Sequence, residues 1–276
     1  MTDNDRVSAG GRPSPDLSIL ETRVYRGANV WSYEKSIHLV VDLGSLEDYP
    51  TNKITGFTDT LLSMLPGLSE HACSRGRRGG FVERLHEGTW LGHVAEHVAL
   101  ALQQTVGHDI RRGKTRQVRG QRGHYNVIFS YLDEQVGLSA AQLAVRLVNH
   151  VVQSDPEFDF EAELESFILR AERTAFGPST QAILDEAVSR DIPWIRLNQY
   201  SLVQLGQGVH AKRIRATMTS ETSAIAVDTA SAKHLTTKLL GATWFCHGVN
   251  GTARGSALHQ FLTAIISTIN ASLTID

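Results

Sequence analysis

Cysteine is scarce in this sequence. Cys73 and Cys246 are its two cysteines among 276 residues, so a framework of several disulfides cannot hold the fold together. Small secreted domains depend on such frameworks, whereas proteins of reducing compartments do without them. The cysteine content therefore predicts a cytoplasmic protein. Cys73, in "HACSRG", is predicted to be a small, half-buried side chain rather than a nucleophile, because the sequence shows no partner base for it.

Long apolar runs and an excess of one charge are also lacking. Residues 1–16 have no apolar signal-peptide core, and their Gly, Pro and Ser content predicts disorder. The apolar stretch "FLTAIISTI" is too short to cross a bilayer. The formal net charge of -2 favours neither nucleic acid nor a membrane surface as a partner. The 41% hydrophobic content suits a globular chain of one large or two smaller domains.

Alternating segments of two periodicities predict a mixed α/β chain of the α+β class, with a small sheet packed against helices. Residues 17–43 are rich in β-branched and aromatic side chains and predict two strands around a Gly-Ala-Asn turn. The stretch "ITGFTDTLLSMLPGL" predicts a short helix that ends at Pro66, and "NVIFSYL" predicts a strand. A helix is predicted in "SAAQLAVRLVNHVVQ", with Ser139 as its N-cap.

Further helices and strands are predicted towards the C-terminus. Helices are expected in "DFEAELESFILRAERTA", "STQAILDEAVSRDI" and "SAKHLTTKLLGA", and strands in "PWIRL" and on both sides of the glycine turn in "SLVQLGQGVHAKRIRATMT".

The stretch "LGHVAEHVALALQQ", residues 91–104, carries the strongest chemical pattern. Its apolar residues recur at the helical spacing, although Gly88 and Gly92 leave open whether one helix or two occupy this region. His93 and His97 lie one helical turn apart, so both imidazoles can reach one ion. Glu96 points to the same side and can take a proton from water at that ion. The H-x-x-E-H order is the inverted zinc-peptidase signature, but a helix with polar surface residues also explains so short a pattern.

The segment "RRGKTRQVRGQRGHY" is the local concentration of positive charge, and its glycines predict a loop. Arginine side chains bind carboxylates through paired hydrogen bonds, so this segment can hold an acidic ligand. A solvated basic loop explains the charges equally well. Binding to a nucleic-acid backbone is the weaker interpretation, because no aromatic residues are interleaved with the basic ones.

Six stretches of the chain, taken together, resemble the cyanophycin synthetase family. They run in family order from about residue 22 to residue 241 and read "RGANVWS", "PTNKITGF", "RRGGFVERLHEGTWLGHVAEHVALALQ", "FGPSTQAILDEAVSRDIPW", "QLGQGVHAKRIRATMTSETSAIAVD" and "AKHLTTKLLGA". These enzymes polymerise aspartate and arginine into a polymer with a poly-aspartate backbone and an arginine on each side-chain carboxylate. They consist of an N-terminal domain, an ATP-grasp ligase that adds aspartate and a Mur-ligase-like domain that adds arginine.

The resemblance implies a division of the chain into four parts. Residues 1–16 form the disordered N-terminus, 17–160 the N-terminal domain, 161–241 a helical segment with the first elements of an ATP-grasp domain, and 242–276 a divergent tail. ATP and Mg²⁺ are expected for the family. In this chain, however, neither the acidic Mg²⁺ ligands nor an ATP-clamping lysine can be identified, so the expectation is a synthetase-like chain without ligase activity.

The resemblance also bears on the helix motif. In some cyanophycin synthetases the N-terminal domain looks like a metallopeptidase that cuts the polymer to make primers. It implies Zn²⁺ held by His93 and His97, with Glu96 as the catalytic base and Glu172 as the candidate third ligand. One departure counts against this site: the family pattern reads "HVALELQ", whereas Ala101 replaces that carboxylate here.

Three functions stay open at this stage: an incomplete synthetase, an autonomous metallopeptidase-like domain, and a non-catalytic module that grips the polymer. The expected partners are the cyanophycin polymer, a full-length synthetase or a second copy of the chain. Arg78, Lys114 and Arg116 are the candidate residues for binding the polymer.

Overall fold

The computed structural model describes residues 17–153, 155, 157–232 and 234–238. The predicted disorder of residues 1–16 and the divergent tail at 242–276 lie outside these residues, and so does part of the predicted helix "SAKHLTTKLLGA". Helices and two small antiparallel sheets occupy the described part, which confirms the predicted α+β class. No helix in the described part is long and apolar enough to cross a membrane.

The first sheet contains four antiparallel strands in the order β1-β2-β4-β3. They are β1 (Ser18–Tyr25), β2 (Ser36–Asp42), β3 (Gly113–Gln117) and β4 (His124–Ser130). Ile37, Leu39 and Val41 alternate along β2 and are fully buried, as expected for one face of a strand that packs on helices. The predicted strand pair in residues 17–43 is therefore confirmed.

Strand β3 corrects the prediction that "RRGKTRQVRGQRGHY" forms a loop. Residues 113–117 pair with β4 along their whole length. Strand β3 was not recognisable in the sequence because two of its five residues are basic. Charged side chains are common on edge strands, and they give such a strand the composition of a loop. The register aligns Thr115 with Val127, on the face covered by helices, and aligns Lys114 with Ile128, on the opposite face.

Two helices, rather than one, occupy the region around the His/Glu/His motif: α2 (Gly80–Glu87) and α3 (Leu91–Thr105). Gly88 caps α2 with φ of 103°, a conformation that favours glycine. Helix α3 packs between the first sheet and α4 (Glu134–Gln153), while α1 (Phe57–Met64) also contacts α4. Twelve of the residues of α3 are buried, including the polar Glu96, His97 and Gln103.

Helix α4 begins five positions before Ser139, so the predicted N-cap is wrong. The Asp133 carboxylate accepts hydrogen bonds from the backbone N–H groups of Gln135 and Val136 and satisfies the free donors of the first turn. Ser139 lies inside the helix.

The second sheet is smaller and has the strand order β5-β6-β7-β8. Its strands are β5 (Trp194–Arg196), β6 (Leu202–Leu205), β7 (Lys212–Arg215) and β8 (Met218–Thr219), with helices α6 (Pro178–Ser189) and α7 (Ala224–Ser231) in the same part of the chain. Helix α5 (Phe160–Thr174) precedes them and adds Phe160, Phe167 and Ala171 to the larger core. An ion pair of 2.7 Å between Arg196 and Asp133 joins β5 to the start of α4.

Candidate metal centre

Helix α3 carries His93, Glu96 and His97 to the wall of a cavity of about 1650 Å³. Glu96 and His97 are 4% and 5% exposed, and His93 is half-buried. The three side chains therefore border the same cavity, as the helical spacing of the motif predicts. Buried polar groups are costly unless they have partners, so the contacts of each side chain decide what this site can do.

Cys73 joins the two histidines, although it is twenty positions from His93. Its Sγ lies 3.3 Å from His93 Nε2, and one ligand atom from each of Cys73, His93 and His97 lies within 4.8 Å of the others. The half-buried position of Cys73 was predicted, but its partner base was missed. No local pattern could have revealed it, because the contact depends on the packing of a short turn against α3.

The backbone at Cys73 is in the left-handed region, with φ of 50°. A side chain with a Cβ disfavours this region by about 1–2 kcal/mol, and such outliers persist where the surrounding structure holds them. Here the strained turn presents the thiol to His93. In the sequence, the adjacent Gly76, Gly79 and Gly80 indicate only that the chain turns sharply.

The cluster of one sulfur and two nitrogens suits zinc, which binds thiolate and imidazole ligands and keeps a fourth position for water in catalytic sites. Glu172, the predicted third ligand, does not lie in this cluster and is exposed on α5. Ala101 is 4% exposed on α3 and carries no ligand atom. Cys73 thus offers a third ligand in a chain that lacks the carboxylate expected at position 101.

Glu96 packs against strand β3. Thr115 Oγ1 donates a hydrogen bond of 2.5 Å to Glu96 Oε2. Gly113 leaves room for the carboxylate, because a Cβ at that position would lie 2.3 Å from Glu96 Oε1. Burial raises the pKa of Glu96 to about 7, while the hydrogen bond from Thr115 opposes the rise. A carboxyl group with this pKa can exchange protons near neutral pH.

The histidines are held in place by their neighbours. His97 Nδ1 lies 2.9 Å from His71 Nδ1, and the His97 ring stacks on Phe81 at 3.9 Å between centroids. His93 Nδ1 lies 2.9 Å from Thr89 Oγ1. Burial lowers the pKa of His93 to about 4, and lowers the pKa values of His71 and His97 as well. All three imidazoles are therefore neutral near pH 7, and a neutral imidazole is the form that binds metal.

Cationic side chains from several elements border the same cavity: Arg26, Lys35, Arg78, Arg111, Arg112, Lys114 and Arg116. Four of them are paired with acidic side chains, Arg26 with Glu134, Arg78 with Glu70, Arg111 with Asp109 and Arg112 with Glu34. Lys114 and Arg116 form no ion pair within the described ranges, and the register of β3 directs their side chains to the face opposite Thr115. Arg78, Lys114 and Arg116, the residues predicted to bind the polymer, all border the same cavity as His93, Glu96 and His97.

Residues of α6, of β5 and of the connection between them complete one wall of the cavity, among them Val188, Ile192 and Trp194. The Lys35 ammonium group lies 3.5 Å from the centroid of the Trp194 ring. Burial lowers the pKa of Lys35 to about 8. Residues of both sheets therefore border the cavity, although Cys73, His93 and His97 all belong to the part of the chain that contains the first sheet.

Comparison with known proteins finds the same family that the sequence motifs resemble. The model of the cyanophycin synthase-like N-terminal domain matches residues 38–153. Over 228 residues, which are 81% of this chain, the sequence is 43% identical to cyanophycin synthetase from Crocosphaera subtropica and 42% identical to cyanophycin synthetase from Synechocystis sp.. It is 41% identical over 221 residues to cyanophycin synthetase from Geminocystis herdmanii. The chain spans about a quarter of the length of these relatives.

Proposed function

Residues 38–153 belong to the cyanophycin synthase-like N-terminal domain family, and from this membership we propose that the domain binds cyanophycin and cuts its backbone by metal-assisted hydrolysis. One observation carries the proposal: a Cys73/His93/His97 cluster and the Glu96 carboxylate border one large cavity. A thiolate and two imidazoles can hold zinc with a fourth position open for water, and an adjacent carboxylate can take a proton from that water.

In the proposed reaction, Cys73, His93 and His97 would hold the metal ion. Zinc bound there would supply Lewis-acid polarisation of the scissile carbonyl group and would lower the pKa of water. Glu96 accepts the proton of the attacking water on a carboxylate oxygen and then donates it to the nitrogen of the leaving amine. Its raised pKa suits both steps, because the group can be charged before the attack and protonated after it. Thr115 keeps the carboxylate in place through its hydrogen bond to Oε2.

The cationic side chains around the cavity support an acidic polymer end or a liberated carboxylate as the ligand. Guanidinium groups bind carboxylates through paired hydrogen bonds. Arg78 already pairs with Glu70, so it can bind a carboxylate only by exchanging that partner. Lys114 and Arg116 need no such exchange, because neither forms an ion pair within the described residues. The reaction belongs in the cytoplasm, where the thiol of Cys73 stays reduced.

We also propose that this chain alone does not ligate aspartate or arginine. Acyl-phosphate formation needs ATP and Mg²⁺ positioned over the acceptor. Within the described residues, the group suited to an ion contains a sulfur and two imidazoles, whereas Mg²⁺ prefers oxygen ligands. Release of phosphate from ATP that depends on a cyanophycin primer and either amino acid would contradict this part of the proposal.

A non-catalytic polymer-binding module is the second candidate function. Ala101 favours it, because the chain lacks the carboxylate that the family pattern places on the face of His93 and His97. The cationic border of the cavity would serve such a module without any metal ion.

The deciding experiment incubates the purified chain with cyanophycin, with and without added Zn²⁺, and follows polymer length together with bound zinc. Zinc-dependent shortening of the polymer is the expected result. Polymer binding without zinc and without shortening would favour the binding module, and Cys73→Ser would then be expected to leave polymer binding unchanged.

A further inference from the structure

A chain of hydrogen bonds leads from the backbone of Ile110 to the imidazole of His97. Gln104 Nε2 donates to the Ile110 carbonyl oxygen at 2.8 Å, and Gln104 Oε1 lies 2.9 Å from His71 Nε2. His71 Nδ1 then lies 2.9 Å from His97 Nδ1. His71 and His97 are 8% and 5% exposed, so these contacts are shielded from water.

The Ile110 carbonyl oxygen fixes the direction of the first two hydrogen bonds in this series. A carbonyl oxygen can only accept, so the amide nitrogen of Gln104 must face Ile110 and its oxygen must face His71. An amide oxygen also accepts only, and His71 must therefore carry a proton on Nε2.

Because both rings are neutral, the proton position on His71 also fixes the proton position on His97. A neutral imidazole has one N–H and one lone pair, so a proton on His71 Nε2 leaves the lone pair on Nδ1. His97 must then donate from its own Nδ1, and its lone pair resides on Nε2. Burial supports neutrality: the two residues are 8% and 5% exposed, and a charged imidazolium is costly to bury without an acidic partner.

We propose that Gln104 and His71 are positioning residues that lock His97 in the Nδ1–H tautomer and keep Nε2 free to bind the metal ion. Metal-binding histidines commonly donate their other N–H to a neighbour, which fixes the ring and its tautomer. His93 has no equivalent lock, because its Nδ1 contacts the hydroxyl of Thr89, and a hydroxyl can donate or accept. The metal-binding consequence rests on the proposed hydrolase function, whereas the tautomer itself does not.

The test measures the tautomer in the metal-free protein by NMR of ¹⁵N-labelled histidine, with the His97 signals assigned by their loss in His97→Gln. The expected result for the parent chain is a protonated Nδ1 and an unprotonated Nε2. Gln104→Leu removes the acceptor for His71 and should produce a mixture of His97 tautomers. Thr89→Val is the matched control, since it removes the partner of His93 and should leave His97 unchanged.

Zinc affinity provides the second readout. Gln104→Leu should weaken zinc binding by roughly 10–100-fold, the usual effect of removing an outer partner of a ligand, with the folded state checked by circular dichroism. A proton on Nε2 of His97 in the parent chain would overturn the proposal even if the variant fails to fold. An unchanged tautomer in a folded Gln104→Leu variant would overturn it as well. A parent chain with the Nδ1–H tautomer that binds no zinc would keep the lock and refute the hydrolase.

Discussion

The two sheets of this chain differ in how much buried apolar surface stands behind them. The first sheet packs on α3 and α4 over an extensive core that includes Phe57, Phe81 and Phe129. The second has a small core, made of Leu184, Ala187, Val203, Leu205 and Ile214. The buried ionisable groups of the candidate site all lie in the first part. Burial of such groups is costly, and a larger core buries more apolar surface that can offset that cost.

Charged residues on the second sheet illustrate the same difference. Lys212, Arg213 and Arg215 of β7 are exposed, and Lys212 pairs with Glu221 at the surface. Surface pairs of this kind contribute little to stability. Among the described residues, the second sheet therefore offers exposed charges, while the buried ionisable groups at the cavity lie in the part of the chain that contains the first sheet.

The largest expected effect concerns Glu96, the proposed base. Glu96→Gln keeps the size of the side chain and removes the proton acceptor, so zinc-dependent cleavage of cyanophycin should fall by about 10²–10⁴-fold. Initial rates of polymer shortening measure this, with the zinc content of both proteins determined in parallel.

Glu83→Gln is the control for that measurement, because Glu83 lies on α2 and pairs with Arg77 at the surface. It should leave the rate unchanged. Cleavage that persists in Glu96→Gln would show that the buried carboxylate is not the base. The larger buried core around Glu96 would then have no link to catalysis.

A matched pair of core truncations tests whether the two cores differ in strength. Leu143 on α4 and Leu184 on α6 are each 1% exposed. Leu143→Ala should cost about 2–5 kcal/mol of unfolding free energy and weaken zinc binding, because α4 supports α3. Leu184→Ala should lower the unfolding free energy by less, since the small core can relax around the void left by the shortened side chain. It should leave zinc binding unchanged.

Urea unfolding and zinc titration of both variants provide the measurement. Equal losses of zinc affinity in the two variants would mean that the small core around Leu184 supports the candidate metal site as directly as the larger core does.

The pH dependence of stability isolates Glu96 itself. Its pKa is raised from 4.5 to about 7 in the folded chain, so its contribution to stability is full below pH 4.5 and is lost as the pH rises through about 7. The neighbouring histidines act in the opposite direction: their lowered pKa values make the folded state less stable as the pH falls below 6.5.

Comparison with Glu96→Gln removes the histidine contribution. The stability of the parent chain relative to this variant should decline between pH 5 and pH 8, by an amount on the order of 1–3 kcal/mol. Melting temperatures of the metal-free proteins across this range measure the decline. A constant difference would mean that Glu96 is already charged in the folded chain at pH 5.

The smallest expected effect concerns the cationic border. Replacing Lys114 and Arg116 together by glutamine should weaken cyanophycin binding by about 2–10-fold at low salt, and by less at high salt, because exposed charges are screened. Arg119→Gln is the control, since Arg119 is exposed and does not border the cavity. An equal loss in the control would indicate a general charge effect rather than a binding site.

Local patterns were sufficient to predict the helix motif and most strands. The spacing of His93 and His97 follows from helix geometry alone, and β2 is recognisable from its β-branched residues. Strand β3 was not predicted, because its pairing with β4 depends on tertiary contacts and its edge position tolerates charges. Cys73 was underestimated for a related reason: its link to His93 depends on how a turn with a left-handed residue packs against α3. Glu172 was chosen for its separation from His97 in the sequence, but the fold does not bring it into the cluster of Cys73, His93 and His97.

Trp194 gives the chain an optical label at its cavity. The indole ring lies under the Lys35 ammonium group, 3.5 Å from the nitrogen to the ring centroid, and borders the space that contains Glu96 and His97. The emission wavelength of an indole responds to a charge held against its ring. An acidic ligand that draws Lys35 away from Trp194 will therefore change the intrinsic fluorescence, and a titration can be followed without attaching any dye.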